Sequence, residues 1–361
     1  ITGNKEFLHL AYEAVTNTLA YMENTEFDAN KNLFRGPACY GDGVAAYPDR
    51  YAVTGESGII TYAEQRPELC TDTGVGIPML TLSTNCLYYR AYIVADLMAD
   101  ELNFERRFEN KAADLKDSIN EHFYMRDKGI YRYLIDDFGG CDAQEGMGNS
   151  FAVLFGIADE KQSVDVINNI VLTKQGIACV MPSFDRYNQP GHYGRHSGTI
   201  WPHIEAFYAD AAHKTKRNDL FAAELMLMAQ RAVRDSHFAE IYHPDTGEIY
   251  GGLQENNKIG IVLWDSQPRQ TWSATGYMRL IFNCILGLKV ENNSFYVSPY
   301  LPNDVTEVSF SGLHIRDTVI NVKITGKGSG ITSFLLNGES TSNACIPLDK
   351  YKNINIEICV E

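Results

Sequence analysis

The chain has 361 residues, 45% of them hydrophobic, and carries 31 Lys and Arg against 46 Asp and Glu, a formal net charge of −15. That length and apolar content bury a large core with room for a smaller companion domain. The negative charge repels a phosphate backbone and an anionic membrane surface alike, which argues against a nucleic-acid partner.

No stretch approaches the roughly 18 unbroken apolar residues of a membrane span, and the opening Ile-Thr-Gly-Asn-Lys shows no charged leader followed by an apolar run. Without an initiator Met, and with a helical pattern almost at once, the chain is expected to continue upstream. A cytoplasmic and a periplasmic or secreted location both stay open, as does the oligomeric state.

From Lys5 to Met22 the apolar Phe7, Leu8, Ala11, Val15, Leu19 and Met22 recur at three- and four-residue steps, which predicts one face of a helix. The same periodicity predicts helices over Leu80–Met98, Phe108–Phe123, Ser150–Ala158, Val164–Leu172, Thr199–Ala212, Leu220–Val233 and Trp272–Ile285. Between them run long segments rich in Gly, Pro and aromatic residues, Phe34–Pro78, Asp136–Gly148 and Pro182–Gly198. Long loops in a compact domain are usually functional. Past Gly287 the texture changes to short alternating runs, Ser294–Val297, Val305–Phe310, Val319–Ile324 and Ile354–Cys359, which predict an antiparallel β-module. The expected division is therefore a helical catalytic domain over 1–287 and a β-sandwich-like domain over 288–361. The eight cysteines are scattered without C-x-x-C spacing and read as buried free thiols.

No G-x-S-x-G, P-loop or dinucleotide glycine fingerprint is present. What remains is carboxylates in aromatic loops: Asp42 in Phe-Arg-Gly-Pro-Ala-Cys-Tyr-Gly-Asp-Gly, Glu240 in Phe-Ala-Glu-Ile-Tyr-His-Pro-Asp-Thr-Gly, and Gly-Arg-His-Ser-Gly-Thr-Ile-Trp-Pro over 194–202. Glycosidic cleavage needs a protonated carboxylic acid at the leaving oxygen and a second carboxylate across the ring, with aromatic faces to stack on sugar. Each feature also has a plainer role. Asp42 between two glycines fits a tight turn, Glu240 a solvated loop, Glu145 a helix cap, and Ser197 or Thr199 a helix start. His192, His196 and His203 lack the spacing of a metal site, so neither a metal nor a cofactor is expected.

The order of these segments resembles the six-hairpin glycosidases, which hold bacterial relatives of the family 63 processing α-glucosidase and the catalytic domain of amylo-1,6-glucosidase-type debranching enzymes. The similarity covers most of the chain. Where many α-glucosidase relatives read Asp-Asn-Ser, this chain reads Tyr-Gly-Asp-Gly around Asp42. The resemblance implies a mainly α, (α/α)6 toroid followed by a small C-terminal antiparallel β-domain; eight helical segments against the twelve of a complete barrel mean that its first helices lie upstream or that short ones carry no periodic mark. It further implies an inverting glycoside hydrolase acting on an α-linked oligosaccharide or glycoside, with Asp42 as general acid and Glu240 as general base. Trp201, Trp272, Tyr40 and Trp264 are then candidate aromatic walls, and Arg35, Arg195, Gln270 and Glu145 candidate substrate-binding groups. Glu145 and Glu205 stand as reserve bases. Phosphorolysis, sugar epimerisation on a related barrel and catalytically silent sugar binding are the competing readings.

Overall fold

The computed structural model describes residues 2–52, 79–187, 189–256, 259–291, 293–342, 345–348 and 350–361. The chain divides into two compact units, Glu6–Gly276 and Tyr277–Glu361 with Ile1–Lys5. The described residues hold eight α-helices: α1 (Lys5–Thr25), α2 (Leu82–Leu102), α3 (Glu109–Phe123), α4 (Gly146–Leu154), α5 (Glu160–Asn169), α6 (Pro202–Lys214), α7 (Asn218–Asp235) and α8 (Thr271–Leu280), the last running into a π-turn over Ile281–Ile285. The boundaries follow local chemistry. Asn103 ends α2 in the left-handed region, Asp159 and Gln162 form a reciprocal capping box at α5, and Pro202 opens α6 where its missing N–H costs nothing.

Helices α2, α4 and α6 pack on one another in succession, and each also packs on the helix that follows it, α3, α5 or α7. Burial reflects this pairing. Every residue from Gly146 to Val153 in α4 is buried, whereas α3 buries only Ala112, Leu115, Ser118, Ile119 and Phe123, a single stripe. Where α8 meets α6, a Cβ on Gly276 would come within 3.1 Å of Ala206 Cβ and His203 Cα, so glycine allows a close approach that a larger residue would push apart by a few tenths of an ångström. Between α6 and α7 the fully buried Glu205 pairs with Arg231, and Glu224 lies beside them. Burial, then the adjacent Glu205 carboxylate, pushes Glu224 well above its usual range, so Glu224 holds its proton next to the ion pair.

The C-terminal unit carries two sheets. Strands β1 (Leu288–Glu291), β2 (Ser294–Val297) and β7 (Cys345–Pro347) form one. Strands β3 (Glu307–Ile315), β4 (Thr318–Gly326), β5 (Ile331–Leu336), β6 (Glu339–Ser340) and β8 (Asn353–Val360) form the other, in the order β3-β4-β8-β5-β6. The expected antiparallel module is corrected here, because β4 and β8 pair in parallel. Alternation of buried Ile320, Val322 and Ile324 opposite Ile354, Ile356 and Ile358 specifies which face is covered but not strand direction. Direction follows from the connection, since a chain that leaves β4, builds three further strands and returns supplies the crossover that parallel pairing requires.

Of the cysteines, Cys70 lies outside the described residues, as does the second half of the Phe34–Pro78 loop, and the other seven are free thiols. No helix among the described residues is long and apolar enough to cross a membrane.

Candidate active site

The N-termini of α2, α4, α6 and α8 carry the residues of interest: Ser83, Glu145, Trp201 with His203, and Trp272. The Asp42 loop is laid over the start of α2. Asn85 both donates to the Phe34 carbonyl at 3.0 Å and accepts from its N–H at 2.8 Å, and the Cys39 N–H donates to Ser83 Oγ at 2.9 Å. Buried Tyr47 then closes the loop by donating to the Gly41 carbonyl at 2.6 Å. From the 182–198 segment Arg186 donates to Asp49 at 2.7 Å, to the Val44 carbonyl at 2.9 Å and to Glu255 at 2.8 Å, tying the loop to a hairpin (Leu253–Asn256 and Gly260–Leu263).

The consecutive residues Arg195 and His196 reach to the two candidate carboxylates. Arg195 donates to Glu240 Oε2 at 2.7 Å, with its other contacts on the carbonyls of Gly251 and Asp265 at 2.9 and 3.1 Å. The Gln267 N–H also donates to Glu240 Oε2, at 3.1 Å, and the Glu240 side chain is only 6% exposed. His196 Nε2 lies 2.9 Å from Asp42 Oδ1, and the Asp42 side chain is 81% exposed. The His196 hydrogen bond holds the Asp42 carboxyl below its ordinary range, partial burial opposes this, and the charge of Arg195 adds to the lowering. The carboxyl projects into solvent with a hydrogen-bond donor against it, and both favour its charged form.

Beneath this pair lies an aromatic cluster. Trp201 stacks on His196 with centroids 4.6 Å apart, donates its indole N–H to the Arg195 carbonyl at 2.9 Å, and packs 5.9 Å from Trp272. Tyr40 meets His203 edge-on at 4.4 Å, and Trp272 is 5.3 Å from His203. Trp264 is more exposed, on the hairpin side, where its indole N–H donates to the Gln254 carbonyl at 3.3 Å. The expected set is thus brought together in Tyr40, Asp42, Arg195, Trp201, Glu240 and Trp272.

Others are engaged elsewhere. Arg35 pairs with Asp28 at 3.3 Å, and Gln270 Oε1 accepts the Thr271 N–H at 3.2 Å at the start of α8. Thr199 and Ser197 do not start α6: Thr199 donates to the Arg195 carbonyl at 2.6 Å, and Ser197 accepts the Phe184 N–H at 2.7 Å. Glu145 sits at the N-cap position of its own helix yet makes no side-chain cap there. It accepts the Ser83 N–H at 3.1 Å instead, satisfying a free donor at the start of α2.

Burial, partly offset by the Ser83 bonds, raises Glu145 from an ordinary 4.5 to about 7. Because its folded-state value is raised, the folded chain binds a proton that the unfolded chain releases across that window, so Glu145 makes stability fall as pH rises from about 4.5 to about 7. Glu145→Gln removes this slope: in urea unfolding at pH 5 and pH 8, the variant gains stability relative to the parent at the higher pH. An unchanged difference between the two pH values contradicts the assignment.

Two residues of the cluster, His196 and His203, were legible in sequence as poor metal ligands, and His196, with His192, also as the histidine pair of the competing epimerase reading. Nothing in the sequence marks one as the Asp42 partner or the other as buried among rings. Among the described residues no group of three or more His, Cys, Asp or Glu is placed to hold a metal ion.

Residues 58–273, more than half of the chain, match the family model described as the mannosylglycerate hydrolase MGH1-like glycoside hydrolase domain. The matched range contains Glu240, Arg195 and Trp201 and begins after Asp42. Among solved structures, an uncharacterised conserved protein from Thermus thermophilus is similar at 13% identity and TM-score 0.57, over 77% of this chain and 71% of that one. A GH78 family rhamnosidase from Bacillus sp. GL1 is similar at 17% identity and TM-score 0.56, over 90% of this chain and 30% of that one. A GH63 mannosylglycerate hydrolase from Thermus thermophilus, in complex with glucose, aligns at 14% identity and TM-score 0.43, over 57% of this chain and 45% of that one. The chain thus spans under a third of the rhamnosidase and under half of the mannosylglycerate hydrolase as aligned. No curated protein matches the sequence. On this match the chain belongs to the MGH1-like glycoside hydrolase family.

Proposed function

We propose that this glycosidase hydrolyses an α-glycosidic bond with inversion, Glu240 activating water as general base and Asp42 protonating the leaving oxygen. The observation that carries the reading is the Arg195–His196 pair, two adjacent side chains that hold Glu240 and Asp42 at 2.7 and 2.9 Å. Two carboxylates fixed on neighbouring residues beside aromatic rings suit a reaction whose acid and base flank one sugar.

Asp42 is anionic in the free enzyme, so its acid role belongs to the substrate complex. A glycoside covering Asp42 removes its solvent, and a carboxyl stripped of water gains affinity for a proton. The paired row α2–α3, α4–α5 and α6–α7 supports helical hairpins of an (α/α)6 toroid within 1–287, with 288–361 as its companion β-domain.

The test is product analysis on a panel of α-linked disaccharides and aryl α-glycosides by proton NMR. We expect the first-formed sugar to be the β-anomer, at a rate indifferent to added phosphate. An α-anomer refutes inversion, and a sugar phosphate formed only with phosphate present refutes hydrolysis.

A further inference from the structure

We propose that His203 is a hydroxyl-binding residue, the centre of a buried cluster of uncharged hydrogen-bonding groups that receives a neutral, polyhydroxylated sugar ring. The ligand's identity rests on the glycosidase reading above; the geometry does not.

His203 occupies the first turn of α6 and is 3% exposed. Neither of its ring nitrogens has a hydrogen-bond partner among the described residues, and the same holds for Trp272 Nε1, His196 Nδ1 and Gln254 Oε1. These atoms belong to one neighbourhood. His203 is ringed by Tyr40, Trp201 and Trp272, Trp201 stacks on His196, and the Gln254 amide oxygen lies against Gly43, beside Asp42.

Buried polar groups are nearly always paired, and a bare one costs on the order of 1–3 kcal/mol. One such atom is an accident of packing, but several converging beside two candidate catalytic carboxylates are the complement of a ligand. Their chemistry narrows its class. Burial lowers His203 to about 3, so the imidazole is neutral and offers one donor and one acceptor. An indole N–H and an amide oxygen add one of each, which suits hydroxyl groups, since each hydroxyl both gives and takes a hydrogen bond. Arg195, whose guanidinium lies over the Trp201 ring, is already bound to Glu240 and two carbonyls, so it is not a spare positive charge for an anionic sugar.

The test compares the parent with His203→Phe and His203→Gln by thermal unfolding and by calorimetric titration with D-glucose, D-mannose, L-rhamnose and D-glucuronate. An apolar ring in place of two bare nitrogens leaves the free enzyme as stable as the parent or more so. It also weakens binding of the neutral sugar by on the order of tenfold to a hundredfold. His203→Gln, which keeps a donor and an acceptor, restores part of that binding, and glucuronate binds the parent more weakly than the neutral sugars do.

Parent-like sugar affinity in His203→Phe overturns the proposal. Should His203→Phe not fold, parent-like affinity in His203→Gln at a much lower melting temperature overturns it as well, because the residue is then structural. A parent that binds none of the neutral sugars also overturns it, and if that parent still hydrolyses aryl glycosides the glycosidase reading survives alone. Conversely, His203-dependent sugar binding without hydrolysis upholds the subsite and removes the hydrolytic reading.

Discussion

Glu240→Gln lowers kcat by on the order of 10²–10⁴ while sugar binding largely persists, because a positioned general base contributes about that much and the amide keeps the shape of the carboxylate. Arg195 and the Gln267 N–H both donate to Glu240 Oε2, and a Gln side-chain oxygen accepts from each of them in the same place. The loss therefore falls on the water-activating step rather than on the local fold. Steady-state kinetics on an aryl α-glycoside, paired with calorimetric sugar titration, separates the two effects. Near-parental kcat in the variant removes Glu240 from the mechanism. Glu205 does not then inherit the role, since its carboxylate is locked on Arg231 between α6 and α7.

Asp42→Asn is as damaging toward glycosides with strongly basic leaving groups, again on the order of 10²–10⁴ in kcat/KM, and far less so toward aryl glycosides whose phenolate leaves without protonation. The sign of the pH dependence provides a second reading of the same residue. kcat/KM reports the free enzyme, where the His196 hydrogen bond keeps Asp42 ionised, so kcat/KM for a poor leaving group rises as pH falls toward that lowered value. In Asp42→Asn this rise disappears. Equal losses for good and poor leaving groups refute the acid role and leave Asp42 as a binding residue. His196→Ala separates the partner from the acid: without the bond that lowers it, Asp42 shifts upward and the pH profile moves to higher pH.

The helices were legible because their apolar residues recur with helical period, and each of α1 through α8 overlaps a segment that this periodicity marks. Their pairing was less so. Nothing in the sequence of α4 distinguishes a helix buried all round from the one-striped α3, except that Gly146–Leu154 is short and carries no charge. The loops with chemistry were visible as Gly- and aromatic-rich interruptions, and Asp42, Glu240, Arg195, Trp201 and Trp272 were all readable as candidates. Arg35 and Gln270 have local partners that the sequence pattern does not show, Asp28 in one case and the N–H of Thr271 at the start of α8 in the other.

By itself, then, the sequence determined which segments are helical, where the β-module begins to alternate, and which polar residues stand in aromatic surroundings, because each of these is a property of neighbours along the chain. Only the tertiary structure decided strand direction in the C-terminal sheet, the downward rather than upward shift of Asp42, the diversion of Glu145 to the start of α2, and the bare nitrogens of His203. All four depend on groups far apart in sequence: β8 against β4, His196 against Asp42, Ser83 against Glu145, and Tyr40 with Trp272 around His203. Burial and hydrogen bonding are set by what the fold brings alongside a residue, and residue periodicity carries no record of that.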